Sequence, residues 1–355
     1  MILQGDALLV LKTLEGESVN MCITSPPYYG LRDYGTGIWA GGDENCDHKQ
    51  PYHRGKTAKV GNQLNEADAK LYKDVCAKCG ATRTDNQIGL EETPTDYINK
   101  LCDVFDEVRR VLRNDGTCWI NLGDSYSGSG GAGGDWNSGS RATQPKWKQP
   151  KQSIPPKCLI GIPAMFQLEM VRRGWILRNV IIWHKPNCMP SSASDRYTID
   201  FEYLFFFSKN TKYYFKQQLE PYQSKYDNYE YNGQAQKNYT AAGVQNPSDT
   251  KRRILESMKK NGGRNKRCVW NVSVTSFKEA HFATYPEKLI ESPIDAGCPV
   301  GGVVLDCFFG AGTTGLVALK QGKKYLGIEL NPEYIEIAKK RLQKYEDQNE
   351  LFTEE

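Results

Sequence analysis

The sequence predicts an α/β protein built on a doubly wound, mostly parallel sheet, and two observations carry that prediction. Short apolar runs of strand composition alternate with amphipathic stretches of helical period at both ends of the chain, the pattern of parallel strands joined by crossover helices. Near the C-terminus a glycine-containing turn joins one such strand to a helix, and the strand that follows ends in an acidic residue. In sheets of this kind ligands bind outside the C-terminal ends of the strands.

Taken in order, residues 19–24 (VNMCIT) read as a strand, 97–112 as an amphipathic helix and 117–123 as a second strand. In the C-terminal part, 302–306 (GVVLD) is a short buried strand, 308–312 a glycine-containing loop and 313–321 a helix. Residues 324–329 (KYLGIE) form the next strand, and Pro332 opens a last helix through Leu342. Three stretches break the rhythm. Residues 41–92 are polar with clustered Cys and His and read as an insert. Residues 127–141 (SGSGGAGGDWNSGSR), with basic and Trp-containing sequence following to Lys151, read as a flexible loop. Residues 209–267 are basic and rich in Tyr and Asn.

At 355 residues with 39% apolar content the chain can fill a sizeable core. It contains no run near the roughly 18 to 20 apolar residues of a membrane span, and its first residues lack the regions of a signal peptide, so a cytoplasmic, membrane-free setting is expected. Its eleven cysteines are odd in number and scattered, which suits reduced thiols better than a disulfide framework. The net charge of +4 is unevenly spread. Residues 209–267 hold thirteen Lys and Arg against five Asp and Glu, leaving the rest of the chain with 33 basic and 37 acidic residues. One region is suited to a polyanion.

Three motifs carry chemistry. In LDCFFGAGTTG the glycines let backbone amides approach a ligand, and Glu329, at the end of the next strand, is placed to take both hydroxyls of a ribose. No Gly-Lys-Ser/Thr follows, so a P-loop is excluded. In TSPPYYG the prolines fix a rigid elbow at the end of strand 19–24. There a serine hydroxyl and a proline carbonyl can point together at an amino group while a tyrosine ring offers a stacking face. In the insert, Cys46, His48, Cys76 and Cys79 form two closely spaced ligand pairs with the spacing of a structural zinc site, with His53 as a competing ligand. Unligated thiols in a loop are the alternative.

Together these residues resemble the DNA amino-methyltransferases. Thr24-Ser25-Pro26-Pro27-Tyr28 is similar to the family's catalytic motif and Asp306 to Thr314 to its S-adenosylmethionine motif; the catalytic motif comes first, the permuted order of the β class. Gly5-Asp6 resembles the adenine segment, Gly327 to Pro332 the ribose segment, and His281 to Pro286 the segment near the methionine end. RNVIIWHKPN and DRYTIDFEYLFFFSKN resemble the middle strands. Cys307 stands where the family usually has proline.

The resemblance implies a permuted Rossmann-like methyltransferase fold. Residues 1–186 would be the catalytic half, 187–276 the target-recognition region with the last catalytic strands at 196–208, and 277–355 the S-adenosylmethionine-binding half. It implies Ser25, Pro26, Pro27 and Tyr28 as catalytic residues and Asp6, Thr24, Asp306, Phe308, Gly310, Gly312, Thr313 and Glu329 as cofactor-binding residues. Lys185 and Arg196 would hold DNA. Direct methyl transfer to a flipped-out base needs no covalent intermediate, which leaves Cys22 a core residue. Serine before Pro-Pro-Tyr points to cytosine N4, with adenine N6 as the alternative. Double-stranded DNA is the expected partner, with a cognate restriction endonuclease and a homodimer following from the family. Two other classes stay open on the residues: methylation of protein glutamine or RNA, and a non-catalytic DNA-binding protein.

Overall fold

The computed structural model describes residues 1–30, 37–49, 72, 75–84, 87–128, 154–221, 263–274 and 285–351. Most of the glycine and serine stretch, residues 222–262 of the basic region, His53 and residues 281–284 lie outside them. In chain order the elements are β1 (Ile2–Gln4), α1 (Ala7–Thr13), β2 (Val19–Thr24), β3 (Ile38–Ala40), β4 (Thr82–Thr84), α2 (Pro94–Val111), β5 (Leu112–Leu122) and α3 (Ile162–Arg172). There follow β6 (Ile176–His184), β7 (Phe201–Ser208), β8 (Leu219–Glu220), β9 (Arg264–Asn265), β10 (Val269–Asn271), α4 (Glu287–Gly297), β11 (Val303–Asp306), α5 (Thr313–Lys320), β12 (Lys324–Glu329) and α6 (Pro332–Leu351).

Eight strands form one sheet in the order β1-β12-β11-β2-β5-β7-β6-β10. Only β7 runs against its neighbours β5 and β6; every other pairing in the sheet is parallel. The doubly wound expectation is therefore met. The apolar run of β2 is buried over nearly its whole length because helices cover both faces. On one face, Leu11 of α1, Tyr97, Leu101 and Phe105 of α2 and Phe166 of α3 pack on Cys22, Ile120, Phe205 and Phe207. On the other, Leu289, Ile290 and Ile294 of α4 and Val317 of α5 pack on Met21, Ile23, Trp119 and Phe206. Each fully buried side chain of this size contributes about 1.5–3 kcal/mol.

The strands expected at 19–24 and 324–329 have those bounds in the structure. Helix α2 starts before the expected 97, because the Thr93 hydroxyl caps it by accepting from the Asp96 N–H at 3.1 Å and Pro94 fits the first turn. Strand β5 starts at Leu112 rather than 117, running straight out of the helix, and α6 continues past 342.

Candidate active site

The strand order reverses between β11 and β2, with β12 and β1 on one side and β5, β7, β6 and β10 on the other. This is where a doubly wound sheet opens a crevice. Thr24 ends β2 and Asp306 ends β11, and the Thr24 hydroxyl donates to Asp306 Oδ1 at 2.6 Å. Asp306 also accepts from the Thr314 hydroxyl (2.5 Å), the Tyr285 hydroxyl (3.0 Å) and the Phe308 N–H (3.0 Å). Its side chain is buried, and burial raises its carboxyl pKa against these hydrogen bonds. Thr24 and Asp306, both expected at the cofactor, thus spend their polar groups on each other and join the elbow to the glycine loop.

The loop itself is shaped by glycine. Gly310 and Gly312 have φ of 52° and 80°, and a Cβ on Gly312 would come within 3.0 Å of Ala338. The Gly310 N–H donates to Glu329 Oε2 at 2.7 Å and the Asn331 N–H to Oε1 at 2.8 Å, fixing the carboxylate between loop and strand end. Burial raises the Glu329 carboxyl pKa as well. Asp6 caps α1 by accepting from the Leu9 N–H at 3.0 Å, and the preceding Gly5 N–H donates to the Glu329 carbonyl at 3.0 Å. Asp6 and Glu329 therefore lie at neighbouring strand ends. Phe308 packs on the first core cluster, and Thr313 is buried under the Arg341 guanidinium, which donates to its hydroxyl at 3.3 Å.

The elbow is held by side chains. Tyr28 places its hydroxyl 2.7 Å from Glu202 Oε2 and 3.1 Å from Asn121 Oδ1. Its single proton goes to the nearer, charged acceptor. Asn121 donates from Nδ2 to Glu202 Oε2 and to the Tyr203 carbonyl, each at 3.1 Å, so its Oδ1 is turned toward Ser25, whose hydroxyl donates to it at 3.3 Å. Burial, then the Glu202 charge, pushes the Tyr28 phenol well above its ordinary pKa. Behind the prolines, the Tyr97 hydroxyl donates to the Pro27 carbonyl at 2.9 Å. Gly123 lies under the Tyr28 ring, where a Cβ would come within 2.7 Å of Cε2.

Lys185 pairs with Glu202 and lies 4.4 Å from the Trp183 ring centre, inside this network, whereas the Arg196 guanidinium stacks 4.0 Å over Tyr126. Cys22 is fully buried, with its thiol pKa raised chiefly by burial. The described flanks of the basic region are tied down. Lys209 donates to the Leu112 carbonyl at 2.6 Å, Lys216 pairs with Asp295 at 2.8 Å, and Arg264 and Arg267 both pair with Glu220.

In the insert, one ligand atom from each of Cys46, His48, Cys76 and Cys79 lies within 4.8 Å of the other three. The Cys79 thiol is pushed down to about 6, first by a hydrogen bond from the Asp43 backbone. Three thiols and an imidazole fit a structural zinc ion.

Residues 19–340 match the family model described as DNA methylase, of the N6/N4 type. Type II methyltransferase M.Cfr9I of Citrobacter freundii is 36% identical over 345 residues, covering 96% of this chain and 87% of the relative. Type II methyltransferase M.SmaI of Serratia marcescens is 33% identical, covering 96% and 90%. The chain belongs to the DNA methylase family. The enzyme is a DNA methyltransferase with S-adenosylmethionine as its cofactor. Its fold matches that of PvuII DNA methyltransferase (cytosine-N4-specific), with a TM-score of 0.54 at 16% identity over 95% of this chain and 84% of the other.

Sequence reading missed Asn121, Glu202 and Tyr97, which hold the elbow. Each carries a weak signal: a polar residue at the end of an apolar strand, a lone acid in the run FEYLFFF, and a tyrosine opening the apolar face of α2.

Proposed function

We propose that the enzyme methylates the exocyclic N4 amine of a cytosine flipped out of duplex DNA. The observation that carries this reading is the direction of the Ser25 proton. Glu202 and the Tyr203 carbonyl orient the Asn121 amide, Asn121 takes the Ser25 proton, and the remaining lone pairs of Ser25 are left to accept from an amine. The Pro26 carbonyl is the second acceptor of the elbow. Two acceptors on one amine turn its lone pair out of the base plane, and the effect is one of positioning and hydrogen bonding at nitrogen. Tyr28, braced from behind by Glu202 and Asn121, presents its ring for stacking.

S-adenosylmethionine supplies an electrophilic methyl group. Gly310, Gly312, Phe308 and Thr313 would hold it with Asp6 and Glu329, the carboxylate taking the ribose hydroxyls. Gly312 suits the loop because its φ of 80° is a glycine conformation and a Cβ there would press within 3.0 Å of Ala338, so the turn can pack this closely on α6 only without a side chain. Residues 1–186 serve as the catalytic half and 277–355 as the cofactor half, with 187–276 as target-recognition region contacting phosphates and bases. Lys185 supports the base pocket and Arg196 the nearby DNA backbone. The reading extends to a homodimer in the bacterial cytoplasm, protecting DNA beside an endonuclease of the same specificity.

Incubating the enzyme with unmethylated DNA and cofactor, then digesting to nucleosides for mass spectrometry, should yield N4-methylcytosine that disappears with Ser25→Ala. N6-methyladenine would transfer the same elbow to adenine. No modified base from a folded, cofactor-binding protein would remove DNA as the substrate.

A further inference from the structure

The Cys and His cluster is joined to the catalytic elbow by its own chain. Directly after Tyr28 and Tyr29, the Gly30 N–H donates to the Gly89 carbonyl at 2.9 Å, and the Tyr29 hydroxyl donates to the Glu92 carbonyl at 3.3 Å. Gly89, with φ of 104°, lies so close to the elbow that a Cβ would come within 2.9 Å of the Tyr28 carbonyl oxygen. The segment leaving the elbow and the segment returning to it are thus side by side. They pair again as the antiparallel strands β3 and β4, with Ile38 opposite Thr84 and Ala40 opposite Thr82. Cys46 and His48 follow the first strand; Cys76 and Cys79 precede the second.

The four ligand atoms all lie within 4.8 Å of one another, and two of their separations match the edges of a tetrahedral site. With Zn–S near 2.3 Å and Zn–N near 2.0–2.1 Å, the edges of such a site are about 3.8 Å between sulfurs and about 3.6 Å between sulfur and nitrogen. Cys46 Sγ and Cys76 Sγ are 3.7 Å apart, and Cys79 Sγ and His48 Nδ1 are 3.5 Å apart. The surroundings hold the ligands in place. His48 sits at φ of 50°, uncommon for a residue other than glycine, its N–H donates to Cys46 Sγ at 3.4 Å, and its ring stacks on Trp39 at 4.3 Å. The Gly80 N–H closes the Cys76–Cys79 turn onto the Cys76 carbonyl at 2.7 Å. A Cβ on Gly42 would press within 2.8 Å of Cys79 Sγ. With all four positions taken by protein, no coordination site is left for chemistry.

We infer that Cys46, His48, Cys76 and Cys79 bind one Zn²⁺, and that the metal is a clasp that holds together the two chain segments flanking the elbow and so keeps Pro27 and Tyr28 against Asn121 and Tyr97. The metal site stands on the ligand geometry alone; the clasp's importance for turnover rests on the methyl-transfer reading above. Closing the chain between Cys46 and Cys76 removes freedom from a segment whose β3–β4 pairing is only three residues long.

The test uses the full chain. Elemental analysis should find one zinc per chain, and Co²⁺ in its place should give the absorption of a tetrahedral, thiolate-rich site. His48→Cys should keep the metal, and His48→Ala should lose it to a chelator that leaves the parent loaded. Absence of stoichiometric metal in protein that still binds S-adenosylmethionine, or a Cys46–Cys76 disulfide in its place, would overturn the site. For the clasp, hydrogen exchange should show the Gly30 amide opening faster once zinc is stripped, while cofactor affinity stays within about twofold and added zinc restores protection. Exchange at Gly30 unchanged by stripping would overturn the clasp, whether or not the chain methylates DNA.

Discussion

The glycine loop and the proline elbow lie on adjacent strand ends, yet they are built oppositely. In the loop, the acidic side chains are turned inward onto hydroxyls and amides, so on the proposed reading the cofactor would meet mostly backbone and the rim of Glu329. In the elbow the backbone is fixed by prolines, and a chain of side chains from Lys185 through Glu202 and Asn121 sets the direction of one hydroxyl. A surface made of backbone is shaped by what packs beneath it, so its failures should appear as lost stability and lost cofactor affinity together. A surface made of oriented side chains can lose turnover while the protein stays folded.

Ser25→Ala is the sharpest way to separate the two. Turnover should fall by about 10²–10³-fold, the loss expected for one oriented hydrogen-bonding group at a reacting centre, with cofactor affinity by calorimetry unchanged. Asp306→Ala should do the reverse. It leaves the hydroxyls of Thr24, Thr314 and Tyr285 without their shared acceptor, and denaturant unfolding should show a loss of about 3 kcal/mol. Gly327→Ala tests the underside of the loop, since its Cβ would come within 2.4 Å of the Phe309 ring. Displacing that ring should cost about 1–3 kcal/mol and weaken cofactor binding in the same variant. Asn121→Leu removes roughly one net hydrogen bond's worth of orientation, on the order of 1 kcal/mol, and turnover should drop five- to tenfold with cofactor affinity intact.

The smallest effect is in pH. Burial raises the Glu329 carboxyl pKa, so this group takes up a proton at a higher pH than an exposed glutamate does. A protonated carboxyl offers fewer acceptors to a ribose. Cofactor affinity should therefore decline as pH is lowered, beginning above the ordinary glutamate range, and Glu329→Gln should flatten the profile. A pH-independent affinity in the parent would mean that the carboxylate does not meet the ligand.

Much of this was legible in the sequence because it is local. β2 (VNMCIT) and β12 (KYLGIE) are short, mainly apolar stretches between turn signals, and the structure gives both the bounds expected from sequence. The four proposed zinc ligands come in two short-range pairs, and the fold brings all four together. What was not legible depends on contacts far apart in the chain. Asn121 and Glu202 meet because β7 runs against β5, which brings the start of one strand to the end of the other. No spacing in the sequence encodes that. Thr24 and Asp306 are in the motifs that suggested ligand contacts, but their side chains close on each other across 282 residues of chain. A motif marks a neighbourhood in which some residues face the ligand and others hold those residues in place.

The two ends of the basic segment leave and re-enter through one small clamp, where Leu219 pairs with Asn265 and Glu220 with Arg264, locked by the ion pairs of Glu220 with Arg264 and Arg267. Where the two ends of a stretch meet in one such clamp, the stretch between them can be lengthened, shortened or exchanged at small cost in loop-closure entropy. On the proposed reading of residues 187–276 as the target-recognition region, target choice becomes a cassette: a graft between Glu220 and Gly263 leaves the clamp, the elbow and the cofactor loop as they are, so lineages sharing this scaffold can diverge in the DNA they mark while the transfer chemistry stays fixed.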